Sequence, residues 1–202
     1  ENKDEINSTL SLYPDCQDYL EVYERAGLVT DRSVFGHCIH LSDSECRRLA
    51  EAGSVIAHCP TSNLFLGSGL FDMLQANRVG MQTVLATDVG AGTSFSLLRT
   101  MGEAYKVQQL NGYPMSVFES LYKCTLGAAK ALHLDDEIGC FGKGRKADFI
   151  VIDYAVTPSQ QVRMDYLKHH EKWTLENKLF GLQTIGDDRN ILATCIVGRR
   201  MK

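Results

Sequence analysis

Apolar and polar positions alternate along the first half of the chain in a rhythm that predicts parallel strands joined by helices. Residues 33–37, 54–58 and 83–87 are short apolar runs rich in β-branched side chains, which is typical of buried strands. Because strand and helix alternate about every 25 to 30 residues, the pattern predicts βα units of a parallel sheet. Three such units cannot close a barrel of eight strands. The sequence therefore predicts an α/β fold that is the later part of a (β/α)8 TIM-like barrel.

The helices follow from helical spacing and from start and stop signals. They are predicted at residues 15–26, 42–52, 70–77, 96–110, 116–132 and 164–181, and the opening residues also resemble a helix start. Ser42 and Glu45 have the spacing of a capping box. Gly27 and Gly53 stop the helices before them. Residues 61–69, which are rich in small and polar side chains, are predicted to form a loop.

Two later apolar segments, residues 147–153 and 193–198, do not belong to this rhythm. Since they are far apart in sequence, we expect them to pair in a small separate sheet. The sequence thus predicts the later part of the barrel over residues 1–132. A C-terminal segment, residues 133–202, contributes strands to a small β-sandwich and carries a helical insertion near residues 162–182.

The composition excludes several classes of function. Hydrophobic residues make up 44% of the 202 residues, and the formal net charge of −4 comes without long runs of one sign. Nothing therefore points to nucleic acid or a membrane surface, and no apolar run approaches the roughly 20 residues of a membrane helix. Seven cysteines without a C-x-x-C pair predict reduced thiols in a cytoplasmic protein. Because the chain opens on Glu1 without an initiator methionine, we expect a piece of a longer protein.

Two of the predicted strands end in side chains that can carry chemistry. Asp88 follows residues 83–87 and precedes Gly90 and Gly92, and His37 ends residues 33–37. A buried strand does not tolerate an unpaired charge, and the carboxyl ends of barrel strands form the active face. These residues suggest a metal or proton-transfer site. The alternatives at this point are that Asp88 only caps the next helix and that His37 is an ordinary hydrogen-bonded histidine.

The order of motifs resembles that of the amidohydrolase superfamily. His37 is followed by His-Cys-Pro-Thr-Ser-Asn-Leu at residues 58–64 and by Thr-Asp-Val-Gly at residues 87–90. Gly-Arg-Lys-Ala-Asp-Phe at residues 144–149 resembles the strand with which members finish a small β-sandwich. Within the superfamily, the guanine deaminase family is the most similar, on three segments: residues 62–69, 87–94 and 186–190.

The resemblance implies a zinc-dependent aminohydrolase that converts a small purine, guanine, to xanthine and ammonia, as a cytoplasmic homodimer. By its place in the motifs, Asp88 matches the aspartate that closes the zinc site, and His37 matches the histidine after the sixth strand. Glu1 matches the glutamate of the His-x-x-Glu segment. The resemblance makes Glu1, His37 and Asp88 the catalytic and substrate-binding residues, and Asp88 the metal ligand. The other three zinc ligands of the family would lie upstream, so we expect the chain alone to be inactive.

The chemistry of each residue type fits these roles. Asp88 would bind the metal and accept a proton from water. Glu1 would deliver a proton to the ring nitrogen, as the glutamate of zinc deaminases does. His37, neutral or protonated, would orient the hydroxide and stabilise the oxyanion.

Other readings stay open at this stage. A related amidohydrolase could act on another purine, a pyrimidine or a triazine, and a partial barrel could be a non-catalytic module. Without the resemblance, Glu1 would be read as a frayed terminal residue. Among the other histidines, His58 is interpreted as structural, His40 as a loop residue, and His169 and His170 as a polar helix face. Residues 90–92 do not make a dinucleotide-binding fingerprint, because Phe95 stands where the third glycine is required.

Overall fold

The computed structural model describes residues 1–201, and these residues form two three-stranded sheets. The first sheet is parallel, in the order β1 (Val34–Gly36), β2 (Val55–His58) and β3 (Gln82–Leu85). The strand predictions from the apolar runs are confirmed, with each strand one or two residues shorter than its run. Because the strands are parallel, their carboxyl ends lie at one edge of the sheet.

Ten α-helices surround the sheets in the described part of the chain. They are α1 (Lys3–Leu12), α2 (Tyr19–Arg25), α3 (Asp43–Glu51), α4 (Pro60–Phe65), α5 (Met73–Arg78), α6 (Leu97–Leu110), α7 (Val117–Cys124), α8 (Leu126–Ala131), α9 (Pro158–His169) and α10 (Leu175–Ile185). A short 3₁₀ helix, Asp188–Asn190, follows. None of the helices within residues 1–201 has both the length and the apolar character needed to cross a membrane.

The predicted capping box at α3 is present and also ties two helices together. The Ser42 hydroxyl accepts a hydrogen bond from the backbone N–H of Glu45, and the Glu45 carboxylate accepts one from the N–H of Ser42. The same carboxylate accepts a hydrogen bond from the N–H of Leu20 in α2. Helix α2 begins at Tyr19, later than predicted, because the Asp18 side chain is its N-cap.

The prediction of a loop over residues 61–69 is wrong for its first half, which is helical. Pro60 stands in the first turn of α4, where its fixed φ is already suited to a helix and its missing N–H costs nothing. Pro60 and the three residues after it are buried. The polar composition of this segment therefore reflects buried contacts rather than a solvated loop.

Two helices predicted as continuous are each divided in the structure. The predicted helix over residues 116–132 breaks at Thr125, whose φ of −129° and ψ of −106° lie outside the helical region. The break turns α8 onto the parallel sheet, where Ala131 packs against Val55 and Val84. The predicted helix over residues 164–181 is in fact α9 and α10, separated by Glu171 with a φ of 55°. Hydrophobic spacing continues through the first break and does not locate it, whereas residues 168–172 at the second break are all polar.

The core lies between the parallel sheet and its helices. Ile56 and Leu85 on the sheet pack with Leu49 of α3, Met73 of α5 and Met101 of α6. The opposite face is covered only in part, since Val34 and Gly36 of β1 are exposed.

The second sheet is antiparallel, with β4 (Phe149–Ile152), β5 (Ile191–Ile196) and β6 (Arg199–Arg200) in that order. Phe149 pairs with Cys195. The expectation that the two late apolar segments pair in a separate small sheet is confirmed. The two-residue strand β6 was not predicted; it follows a turn in which Val197 and Gly198 both have positive φ.

Candidate active site

The carboxyl edge of the parallel sheet carries the predicted site residues. His37 directly follows β1, and its N–H donates to the carbonyl of Ala57, which extends the ladder to β2 by one bond. Asp88 comes three residues after the end of β3. Both residues have positive φ, 66° for His37 and 48° for Asp88, a conformation that costs about 1–3 kcal/mol outside glycine. The strain turns both side chains out of their strands at the same edge.

Glu1, His37 and Asp88 lie together. His37 Nδ1 is 3.7 Å from Glu1 Oε1, and His37 Nε2 is 3.7 Å from Asp88 Oδ2. The side chains of Glu1 and His37 are 18% and 19% exposed, and that of Asp88 is 36% exposed. An imidazole thus stands between two carboxylates in a partly shielded setting. The structure places the three side chains where the sequence predicts them, and their chemical roles stay predictions.

The segment that begins with α4 holds Glu1 in place. Ser68 Oγ donates a 2.9 Å hydrogen bond to Glu1 Oε1, and Ser62 Oγ lies 3.4 Å from the same oxygen. His40 supports this loop, because its Nε2 is 3.1 Å from the Ser68 carbonyl oxygen. The loop containing Ser68 therefore lies beside Glu1 at the site.

Helix α4 also holds the two other site residues. Asn63 Oδ1 lies 2.8 Å from His37 Nδ1, and Asn63 is 1% exposed. Thr61 Oγ1 donates to the carbonyl of Thr87, the residue before Asp88. Sequence reasoning assigned residues 61–69 to a loop and missed these contacts. The available signal was Pro60 followed at once by three polar residues, a helix-start pattern.

A cysteine missed by the sequence analysis completes a cluster of possible metal donors. Each of His37, Cys59 and Asp88 offers an atom within 4.8 Å of the other two, and this is the one such group of three or more found in residues 1–201. Imidazole nitrogen and carboxylate oxygen are ligands that zinc takes. Burial raises the pKa of the Cys59 thiol to about 11, so it is protonated at neutral pH. These residues fit part of a zinc site, which needs about four ligands.

The loop after Asp88 depends on glycine for a reason beyond flexibility. A Cβ at Gly92 would overlap the carbonyl oxygen of Thr87 and lie 2.8 Å from that of Asp88. Only glycine allows the chain to return this close to its own backbone. This sharp turn fixes the conformation of the loop that carries Asp88.

His58 ends β2 but takes no part in the cluster. Its ring is fully buried and stacks on Phe71 at a centroid distance of 4.9 Å. Burial, followed by the charge of Lys123, lowers the pKa of His58 to about 3. His58 shares the helix-facing side of β2 with Ile56, because side chains alternate along a strand. The structural interpretation of this histidine is confirmed, as is the helical position of His169 at the end of α9.

A cavity of about 550 Å³ opens beside β1, next to the site. Glu1 and His37 line it, together with the apolar side chains of Ile6, Val34 and Phe35. This volume falls in the range of pockets for small ligands, about 300–1,000 Å³. The cavity therefore has room for a small ligand beside Glu1 and His37.

Comparisons with known proteins agree with this geometry. The sequence profile of the Amidohydrolase family matches residues 1–201. Guanine deaminase of Escherichia coli K12 is 50% identical over 199 residues, which are 98% of this chain and 44% of that protein. Its solved structure superposes with a TM-score of 0.94 at 49% identity, covering 100% of this chain and 46% of that one.

Two further solved structures carry ligands. Guanine deaminase from C. acetobutylicum, with guanine bound in its active site, has a TM-score of 0.83 at 30% identity and covers 100% of this chain and 47% of that one. An adenosine deaminase from Xanthomonas campestris with bound zinc has a TM-score of 0.81 at 25% identity, covering 99% and 43%. The chain thus spans less than half the length of the relatives that it matches.

Proposed function

The chain belongs to the amidohydrolase family, and on that premise we propose that it carries part of the active site of a zinc-dependent guanine deaminase. The reaction is the hydrolysis of guanine to xanthine and ammonia. One observation carries the proposal: His37 lies 3.7 Å from both the Glu1 and the Asp88 carboxylates at the carboxyl edge of the sheet. The guanine deaminase of E. coli, with 50% identity, supports guanine as the substrate.

Asp88 is the zinc ligand in this proposal. Zinc supplies hydroxide at neutral pH, because it lowers the pKa of a bound water to about 7. The described residues offer three donor atoms near one another, one of them on a protonated thiol, which is fewer than the usual four ligands. We therefore propose that the remaining ligands come from outside residues 1–201 and that this chain alone does not turn over substrate.

The three side chains divide the proton transfers. Asp88 accepts a proton from the attacking water, whose oxygen forms the new bond to the ring carbon that carries the amino group. Glu1 takes the other proton of this water and passes it to the adjacent ring nitrogen. The proton held by Asp88 then passes to the amino group, so that the C–N bond breaks and ammonia leaves. His37 orients the attacking oxygen. Ser68 holds the Glu1 carboxylate by its hydroxyl, at 2.9 Å, which fixes the direction of the proton transfer.

Membership of the amidohydrolase family also suggests how the rest of the chain is organised. We propose that residues 1–132 belong to the barrel and residues 133–202 to a second unit, in which the antiparallel sheet β4–β6 is part of a small β-sandwich. We also propose a cytoplasmic homodimer for the assembled enzyme.

The test is a chimera in which this chain replaces the region of E. coli guanine deaminase that it matches. We expect the chimera to form xanthine and ammonia from guanine and to act poorly on adenine, cytosine and a triazine. Asp88→Asn in the chimera should lower kcat by several orders of magnitude, because it removes a metal ligand and a proton acceptor together.

Asp136→Asn is the matched control, since Asp136 is exposed and the chemical change is the same. It should leave turnover unchanged. Near-normal turnover by the Asp88→Asn chimera would contradict the role of Asp88. A chimera that folds and prefers adenine, cytosine or the triazine would favour the alternative function, a related hydrolase with another substrate, over guanine deamination.

A further inference from the structure

A single short contact fixes the orientation of the His37 ring. Asn63 Oδ1 lies 2.8 Å from His37 Nδ1, whereas the two carboxylate oxygens near the ring are both at 3.7 Å, beyond hydrogen-bonding distance. Asn63 is itself 1% exposed and sits in α4, whose first residues are buried. Its amide is therefore held by packing and cannot follow the ring if the ring moves.

We propose that Asn63 is a positioning residue that holds neutral His37 in the tautomer with the proton on Nδ1. An amide oxygen only accepts hydrogen bonds, so the contact requires an N–H at Nδ1. In the neutral ring, the lone pair is then on Nε2. The carboxylates do not distinguish the two ring nitrogens, because each nitrogen has one carboxylate oxygen at 3.7 Å. The 2.8 Å contact with Asn63 is made by Nδ1 alone, and it therefore selects the tautomer.

The tautomer decides what His37 can do in the proposed reaction, on which this inference rests. With its lone pair on Nε2, His37 accepts a hydrogen bond and cannot donate one from that atom. Asp88 Oδ2, 3.7 Å away, is an acceptor too. The two acceptors can each take one hydrogen of the same water, which leaves an oxygen lone pair free to attack. His37 thus orients the nucleophile by accepting, and it does not stabilise an oxyanion by donating.

The tautomer can be measured without any turnover, through the chemical shifts of isotope-labelled histidine ring nitrogens. The chain has six histidines, and the signals of His37 are identified by their loss in His37→Gln. We expect a protonated, pyrrole-type Nδ1 and an unprotonated, pyridine-type Nε2. In Asn63→Leu, which has a similar size and no acceptor, the shifts should move to a mixture of tautomers. In Asn63→Asp, which keeps an acceptor oxygen, the Nδ1–H pattern should be restored.

Two results would overturn the proposal. One is a pyridine-type Nδ1 and a pyrrole-type Nε2 in the unsubstituted chain, which decides the matter even if Asn63→Leu does not fold. The other is an unchanged His37 pattern in a folded Asn63→Leu. Since the readout is a ring shift, a chimera that does not deaminate guanine leaves this measurement intact, and the two proposals fail separately.

Discussion

At the scale of single residues, His37 and His58 stand at the ends of neighbouring strands but lie in opposite environments. His37 leaves β1 in a left-handed backbone conformation and meets two carboxylates, whereas His58 stays in the strand and faces the helices. Neither ring nitrogen of His58 has a hydrogen-bond partner among the described residues. Protonation would place an unpaired charge in the core, a state that costs several kcal/mol.

The stability of the chain should therefore depend on the charge state of His58. Its pKa is lowered from 6.5 to about 3 in the folded chain, so between these values the unfolded state binds a proton that the folded state does not. The free energy of unfolding should fall with falling pH in this window, by up to about 1.4 kcal/mol per unit. Above pH 6.5 this contribution is fully present.

Urea unfolding at several pH values measures this slope. His58→Phe keeps a ring against Phe71 and cannot be protonated, so its slope should be smaller than that of the unsubstituted chain. His169→Phe, at an exposed position, makes the same change and should leave the slope as it was. Equal slopes for His58→Phe and the unsubstituted chain would contradict the prediction.

The site residues at the ends of the strands could be predicted from the sequence, but the side chains that contact the site residues could not. Asp88 and His37 stand out because a charged or imidazole side chain directly after a buried strand must face a partner. Asn63, Ser62 and Ser68 are ordinary polar residues in a polar segment. They matter because α4 and the loop after it bring them into contact with His37 and Glu1, which are 26 to 67 positions away in sequence. No local pattern encodes these contacts.

At the scale of elements, the parallel sheet is open at β1. The strand pairs with β2 on one side, and within residues 1–201 no strand pairs with its other side. Val34 is 45% exposed, although an apolar residue in a parallel sheet is normally covered. Free strand edges of this kind template pairing with other chains.

We expect the isolated chain to associate or aggregate at micromolar concentrations and above. Val34→Lys places a charge on the edge strand and should raise the monomer fraction in sedimentation velocity. Leu110→Lys is the matched control, because Leu110 is 74% exposed but lies at the end of a helix, α6. A stable monomer for the unsubstituted chain, or equal effects of the two substitutions, would contradict the role of the edge.

The elements show which sequence signals determine structure here. The apolar runs predict all three parallel strands, and the capping box predicts the start of α3. The break at Thr125 was missed because it follows a tertiary contact, the packing of Ala131 on the parallel sheet. Helical periodicity records which face is buried and says little about where one helix ends and the next begins.

At the scale of the whole molecule, the fold gathers chemistry from distant parts of the chain into one edge. Glu1 precedes α1, His37 follows β1 and Asp88 follows β3, yet one imidazole lies 3.7 Å from both carboxylates. The order of the residues in sequence says nothing about this distance. The parallel arrangement does, because it brings every strand's carboxyl end to the same side. The site therefore arises from the topology of the sheet. Its affinity for a metal depends on how many donor atoms this topology brings together.

The chain on its own should bind zinc weakly, with a dissociation constant in the micromolar range or above. Asp88 and His37 supply two donors where about four are normal, and the third nearby atom, Cys59 Sγ, belongs to a thiol whose pKa burial raises to about 11. Calorimetric titration with zinc at neutral pH measures the affinity, and Asp88→Ala should weaken it further. Cys59→Ser should change it little, because zinc would first have to displace a thiol proton that burial retains. Nanomolar one-to-one binding that Asp88→Ala abolishes would mean that the chain holds a complete zinc site, and strong dependence on Cys59 would identify the missing ligand.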